Sequence, residues 1–275
     1  MAILNGIPLV NKGRIGDYTI YQSDGNMIVR SRHNETRRHR RMSEKQMRQC
    51  AKMGNNIALW HAFPQRYRPY FQYRRKGVSC YCMFITYAMQ AHPVYLSRQA
   101  SRDAACVVSD VVVSQGSLID IVVGHDGTAP VTNISLGRLT IDNDTTVRQF
   151  AQAVIDNNYD YLPGDRLRYY LFLQRVSGTT GLPTVRGHCQ ELALDLMDDR
   201  PLHLAVDNSN GFAQRGGRLA ADSEVAGGMA WVHIRLGEEN QLVSTQRLVC
   251  NNGQLMDYYG SDEAFAEASR SYWIY

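Results

Sequence analysis

From Val107 onward the chain alternates short β-branched runs with turn residues, and this rhythm constrains its fold more than any other feature. Val107 to Ser114, Leu118 to Val123, Ile134 to Ile141 and Arg166 to Val176 have strand length and strand composition. The turn Pro163-Gly164-Asp165 precedes the last of them, and Met229 to Leu236 with Gln241 to Cys250 reads as a hairpin around Gly237 to Asn240. One helical pattern interrupts the strands: Thr145 to Asn157 places Val147, Phe150, Ala151 and Val154 on one face, behind Asp144 as a cap. Ser261, Asp262 and Glu263 open a short terminal helix whose acids suit the positive end of its dipole. The region predicts a mainly antiparallel, sandwich-like domain with accessory helices.

Upstream the pattern differs. Asp17 to Gln22 and Asn26 to Arg32 flank Asp24-Gly25, a pair suited to a two-residue type I′ hairpin turn. With that register Tyr18, Ile20, Met27 and Val29 share one face, and Thr19, Tyr21, Ile28, Arg30 and Arg32 the other, because side chains alternate along a strand. Arg32 to Arg41 then contains no apolar residue and is expected to be a solvated basic arm. Ser43 and Gln46 form a capping-box pair ahead of Met47, Cys50, Ala51, Gly54 and Ala58, which predicts a helix over about 43 to 62 that Pro64 stops. The segment 66 to 76 interleaves cations with aromatics, and a second helix is expected from Ser79 to about Gln90.

The 275 residues, 44% hydrophobic and 20% charged, suffice for a substantial core and for two domains. The expected class is α+β: an amino-terminal β-hairpin with a basic arm and two helices over 1–106, then an acidic β-rich domain over 107–275. The first ten residues lack a basic n-region and a cleavage site, so no signal peptide is expected. Apolar runs are strand-sized, far below the roughly 20 residues of a membrane span. Six scattered cysteines in a chain of this size point to reduced thiols and a cytoplasmic or virion setting.

Gly13-Arg14-Ile15-Gly16, Tyr21, Gly25 and Val29-Arg30-Ser31-Arg32 resemble the opening hairpin of a family of small Bacteroidota proteins known only as a domain of unknown function. Lys76-Gly77-Val78-Ser79 with Tyr81 and Tyr87, then Val111 to Val113, Ser114-Gln115-Gly116 and Ser117-Leu118, are similar to its next two landmarks. The resemblance covers mainly residues 1 to 118, and Ser244-Thr245-Gln246 and the closing helix are similar in style to the family's carboxyl end. Where the family has a proline before the Arg-Thr of its first helix, Arg40-Arg41-Met42-Ser43 stands here, so this arm is more basic. The resemblance implies an architecture and a bacterial or mobile-element origin. It carries no activity and no site residue.

Charge supplies the functional reading. Residues 1 to 100 hold 17 Lys and Arg against 4 Asp and Glu, and the remaining residues 13 against 22, so the whole-chain net charge of +4 hides two regions of opposite sign. A non-enzymatic binding or architectural protein is expected, whose basic region contacts a polyanion, nucleic acid foremost. The cations concerned are Arg30 and Arg32 on the hairpin, and Arg37, Arg38, Arg40 and Arg41 on the arm. Lys45 and Arg48 follow on the first helix, then Arg66, Arg68, Arg74, Arg75 and Lys76 beyond it. Tyr67, Tyr70, Phe71 and Tyr73 are candidates for base stacking, or else core aromatics with charges at their rim.

The alternative is a structural component of a larger phage or mobile-element assembly, with basic and acidic regions meeting between copies. Enzymatic signals are thin. His188 and Cys189, as strand neighbours, face opposite sides, and Cys80 and Cys82 are too close together for a zinc knuckle. Glu191, Asp195, Asp198 and Asp199 read as a solvated edge, His125-Asp126-Gly127 as a turn, and Arg215-Gly216-Gly217 as another. No cofactor and no metal site are expected, and no membrane partner.

Overall fold

The computed structural model describes residues 2–4, 13–15, 18–23, 26–31, 42–206, 210–238 and 240–272. The chain divides into two compact units, Met1–Arg41 and Met42–Trp273. The first is a four-stranded antiparallel sheet of β1 (Ala2–Leu4), β2 (Gly13–Ile15), β3 (Tyr18–Ser23) and β4 (Asn26–Ser31), in the order β1-β4-β3-β2. Its central hairpin has the expected register, with Thr19 opposite Arg30, Ile20 opposite Val29 and Ser23 opposite Asn26. Asp24-Gly25 and the arm 32–41 lie outside the described residues.

The second unit opens with α1 (Glu44–Ala62), a 3-10 turn at Gln65–Tyr67, β5 (Tyr70–Phe71), α2 (Cys80–Ala88) and α3 (Arg98–Arg102). Next come β6 (Val112–Gln115), β7 (Val123–His125), β8 (Pro130–Ser135), α4 (Val147–Asn157), β9 (Arg166–Val176) and β10 (Pro183–Ala193). The chain continues through α5 (Leu202–Ala205), β11 (Ala213–Arg215), β12 (Arg218–Ala220), β13 (Gly227–Leu236) and β14 (Gln241–Val243). It ends with β15 (Gln246–Arg247), β16 (Val249–Asn251), α6 (Gly253–Gly260) and α7 (Asp262–Arg270).

The central layer is the antiparallel sheet β10-β9-β13-β14, with β16 also pairing β13. It is buried on both faces because alternate residues of its middle strands feed different cores. Leu167, Tyr169, Met229 and Trp231 pack with Val147, Phe150, Ala151 and Val154 of α4 and with Ile134 and Leu219 of the small sheet β11-β12-β8-β7. Tyr170, Phe172, Ala230, Val232 and Ile234 pack instead with Leu59, Trp60, Phe63, Phe84 and the valines of β6. All described strand pairs are antiparallel except β5 with β6 and the single bridge Leu118–Ser244. The α+β class therefore holds.

The boundary expected at 106/107 does not, because the second of these cores spans it. Both amino-terminal helices are part of the β-rich unit, and the structural break falls at 41/42. Gly187 of β10 shows how close the helix comes: a Cβ there would lie 2.1 Å from the Ala62 carbonyl oxygen.

Local signals set most helix ends. Ser43 and Gln46 form the reciprocal capping box of α1, and the chain leaves the helix in extended form at Phe63 before Pro64. Ser79 caps α2 and Ser261 caps α7. At α4 the cap is Thr146, in a second capping box with Gln149, and not Asp144. Val107 to Val111 departs from the expected strand: Val107 is bracketed by the side chain of buried Asn55 at 2.8 and 2.9 Å, and Gln174 accepts from Val108 N–H. Side chains there satisfy backbone groups that a ladder would otherwise pair. Arg215 opposes Arg218 across Gly216 and Gly217, both at positive φ, as a two-residue hairpin turn requires.

Candidate polyanion-binding surface

From Lys45 to Arg102 the chain contains no Asp or Glu. Within that stretch the loop 72–79 is held at both ends. Gln72 donates its N–H to the Gln115 carbonyl, and its side chain meets Ser117 through an accepted bond of 3.0 Å and a donated bond of 3.2 Å. Val78 N–H closes a turn onto the Arg75 carbonyl, Gly77 adopts φ +80°, and Ser79 then caps α2. Tyr73, Arg74, Arg75 and Lys76 stand exposed on this loop. Arg74 also reaches Cys80 Sγ at 3.0 Å.

The sequence-derived cations divide. Arg30 is exposed on β4 of the first unit and Lys45 in the first turn of α1, whereas Arg32, Arg37, Arg38, Arg40 and Arg41 lie outside the described residues. Arg66 is exposed, its guanidinium 5.5 Å from the Tyr67 ring centroid. Arg48 leaves the set: it bonds Glu44, Asp262 and the Tyr95 hydroxyl and lies 4.0 Å from the centre of the Phe265 ring. Its charge is already answered within the unit. Arg68 is half-buried against Trp60, at 5.2 Å from the ring centroid, and is likewise no open contact.

The stacking candidates contract further. Phe71 is fully buried and stacked on Tyr87, so it is a core residue and not a base platform. Tyr67 and Tyr70 are half-buried, each with a guanidinium against its ring. Tyr73 alone is open, at 59% exposure.

Two buried charge clusters went unnoticed in the sequence. Glu191, expected on a solvated edge, lies opposite Arg168 in the β9–β10 register and accepts from Arg168 at 2.6 and 2.8 Å and from Arg166 at 2.8 Å. Burial opposes its ionisation, but the two guanidiniums hold its carboxyl below the usual range. Arg168 also lies 5.2 Å from the Tyr67 ring, and the Tyr170 hydroxyl donates to the Tyr67 carbonyl, so this cluster supports the segment above it. The second cluster joins Asp165 to His233 at 2.8 Å and to Arg235 at 2.7 Å, under the ring of Tyr161. The only sequence signal for either was a pair of polar residues two apart on a strand, at 166 and 168 and again at 233 and 235.

These groups do not assemble a nucleophile with a base. Burial pushes the thiol of Cys189 up to about 12, and His188 is exposed beside it. Open clefts of about 690 Å³ beside α4 and about 440 Å³ beside β7 contain Asp142 and Asp126, but both carboxylates accept local hydrogen bonds: Asp142 from Thr145, Asp126 from Ala129 and Thr128. Among the described residues no three His, Cys, Asp or Glu side chains converge as metal ligands do, and no helix is long and apolar enough to cross a membrane. No known protein family, no curated protein and no solved structure matches the chain.

Proposed function

We propose that the protein is a non-enzymatic binding or architectural protein whose basic surface takes a polyanion, nucleic acid foremost. The observation that carries this reading is the acid-free stretch from Lys45 to Arg102, on which Arg66, Arg74, Arg75 and Lys76 are exposed. Among the described residues none of these four has a carboxylate within ion-pair distance, unlike Arg48, Arg148, Arg166, Arg168, Arg200, Arg215 and Arg235. Exposed cations with no carboxylate partner among the described residues can neutralise phosphates and release the counterions those phosphates hold. The same charge distribution suits a phage or mobile-element component held by charge-complementary contacts, and light scattering across a salt series without nucleic acid would expose such assembly.

The test is retention on heparin and on DNA, followed by affinity against salt for the full chain and for a variant with Arg74→Ser, Arg75→Ser and Lys76→Ser. The variant is expected to flatten the slope of log K against log salt on duplex DNA by about 2.7, since each phosphate contact contributes about 0.9. Absence of retention at about 50 mM salt would remove the reading.

A further inference from the structure

We infer that this surface reads the phosphate backbone of a nucleic acid and not its bases, so that a duplex is a better ligand than an unpaired strand of the same sequence. The inference rests on the polyanion reading above and decides which part of the polyanion is touched. Proteins that hold unpaired strands combine a cationic groove with aromatic faces on which successive bases stack, at about 1–3 kcal/mol per base. The segment 66 to 76 offers four such rings in sequence, and the fold commits three of them elsewhere. Phe71 is sealed in the core against Tyr87, with ring centroids 5.5 Å apart. Tyr67 has the guanidiniums of Arg66 and Arg168 at 5.5 and 5.2 Å, and Tyr70 has that of Arg74 at 5.6 Å. Tyr73 remains, and one ring is no platform for a run of bases.

The cations stay open: Arg75 and Lys76 are exposed, and so is Arg74, although it also meets the Tyr70 ring and Cys80 Sγ. Arg74, Arg75 and Lys76 project from a loop fixed by Gln72 at one end and by the Arg75–Val78 turn and the α2 cap at the other. A loop ordered before binding loses little conformational freedom on meeting its ligand. Three neighbouring cations also find more charge on a duplex, which carries a phosphate per about 1.7 Å of axis against about 3.4 Å along each strand.

The experiment compares a labelled single strand of mixed sequence with its duplex, by fluorescence anisotropy on the full chain and on Tyr73→Ala. The duplex is expected to bind about fivefold or more tightly at low salt, with the gap closing as salt screens the phosphates. Tyr73→Ala, at an exposed position, is expected to change neither affinity by as much as twofold. Tighter binding of the single strand, or a loss of fivefold or more on it with Tyr73→Ala, would overturn the inference and leave the polyanion reading standing. If neither probe binds, the polyanion reading itself falls and takes the inference with it.

Discussion

Asp165→Asn probes the buried cluster of Asp165, His233 and Arg235, and its effect is expected to depend on pH. The Asp165 side chain is 2% exposed, and its carboxylate accepts from His233 Nε2, from two nitrogens of Arg235 and from Leu162 N–H, all within 2.9 Å. Asparagine keeps the shape but turns one acceptor into a donor, which then faces another donor whichever way the amide is placed. Removing one partner of a buried pair costs about 3–5 kcal/mol, and because the Arg235 side chain is 28% exposed the lower end, about 3 kcal/mol, is expected at pH 7.

Burial works against the Asp165 charge, yet the Arg235 and His233 bonds prevail and hold its carboxyl down at about 2. A carboxyl lowered in this way stabilises the fold above its unfolded pKa of about 3.9, and that contribution is lost as pH falls through the folded value. The gap amounts to about 2.6 kcal/mol at neutral pH, of which about 1.2 kcal/mol is gone by pH 3. Urea titrations followed by the fluorescence of the buried Trp60 and Trp231, at pH 7, 5, 4 and 3, read this directly. Wild type and variant should approach each other by about 1 kcal/mol at the acid end, because only the wild type has the charge to lose. A difference that stays constant over this range, or one below about 0.5 kcal/mol at pH 7, would refute the assignment of that stability to the carboxylate.

Two further outcomes follow from packing and burial. Gly187→Ala would drive a Cβ to 2.1 Å from the Ala62 carbonyl oxygen and 2.9 Å from the Phe172 ring, so thermal denaturation should show a loss of about 1–3 kcal/mol; an unchanged midpoint would contradict the close approach of α1 to β10. Burial pushes the thiols of Cys106, Cys189 and Cys250 up to about 12, so a brief alkylation pulse at pH 8, read by mass spectrometry, should label exposed Cys82 ahead of all three, and equal labelling of Cys189 would argue against its burial.

What the sequence made legible was what neighbouring residues decide among themselves. The α1 capping box, the apolar face of α4 and the span of β9 need no knowledge of distant chain. The failures share a cause in the opposite direction. Asn55 and Asn56 sit on the buried face of α1, which a hydrophobic pattern counts as polar, and Asn55 is there because Val107 lacks a strand partner. Glu191 looked like one acid in a solvated row until its register placed it opposite Arg168. The aromatics of segment 66 to 76 had two readings, and which ring is sealed depends on β6, α2 and β9, none of which the segment itself encodes. The domain boundary was misplaced for the same reason: a change in composition near residue 106 is not a change in core.

That mismatch bears on how the charge asymmetry can act. The acid-free stretch from Lys45 to Arg102 is built into the same unit as the acidic remainder, so part of the attraction between the two is already satisfied inside one chain. Arg48 reaches across to Asp262, and on the acidic side Asp198 and Asp199 meet Arg200 and Arg148 while Asp126 meets Arg215. Head-to-tail assembly between copies would have to use what these pairs leave over, which among the described residues of the acid-free stretch includes Lys45, Arg66, the loop from Arg74 to Lys76, Arg98 and Arg102. Exposed pairs of this kind contribute about 0–1 kcal/mol each, so a handful of them makes a weak, salt-sensitive interface between folded surfaces. The same few cations against a phosphate backbone would gain from counterion release at every contact, and on that ground nucleic acid is proposed ahead of the acidic face of a neighbouring copy.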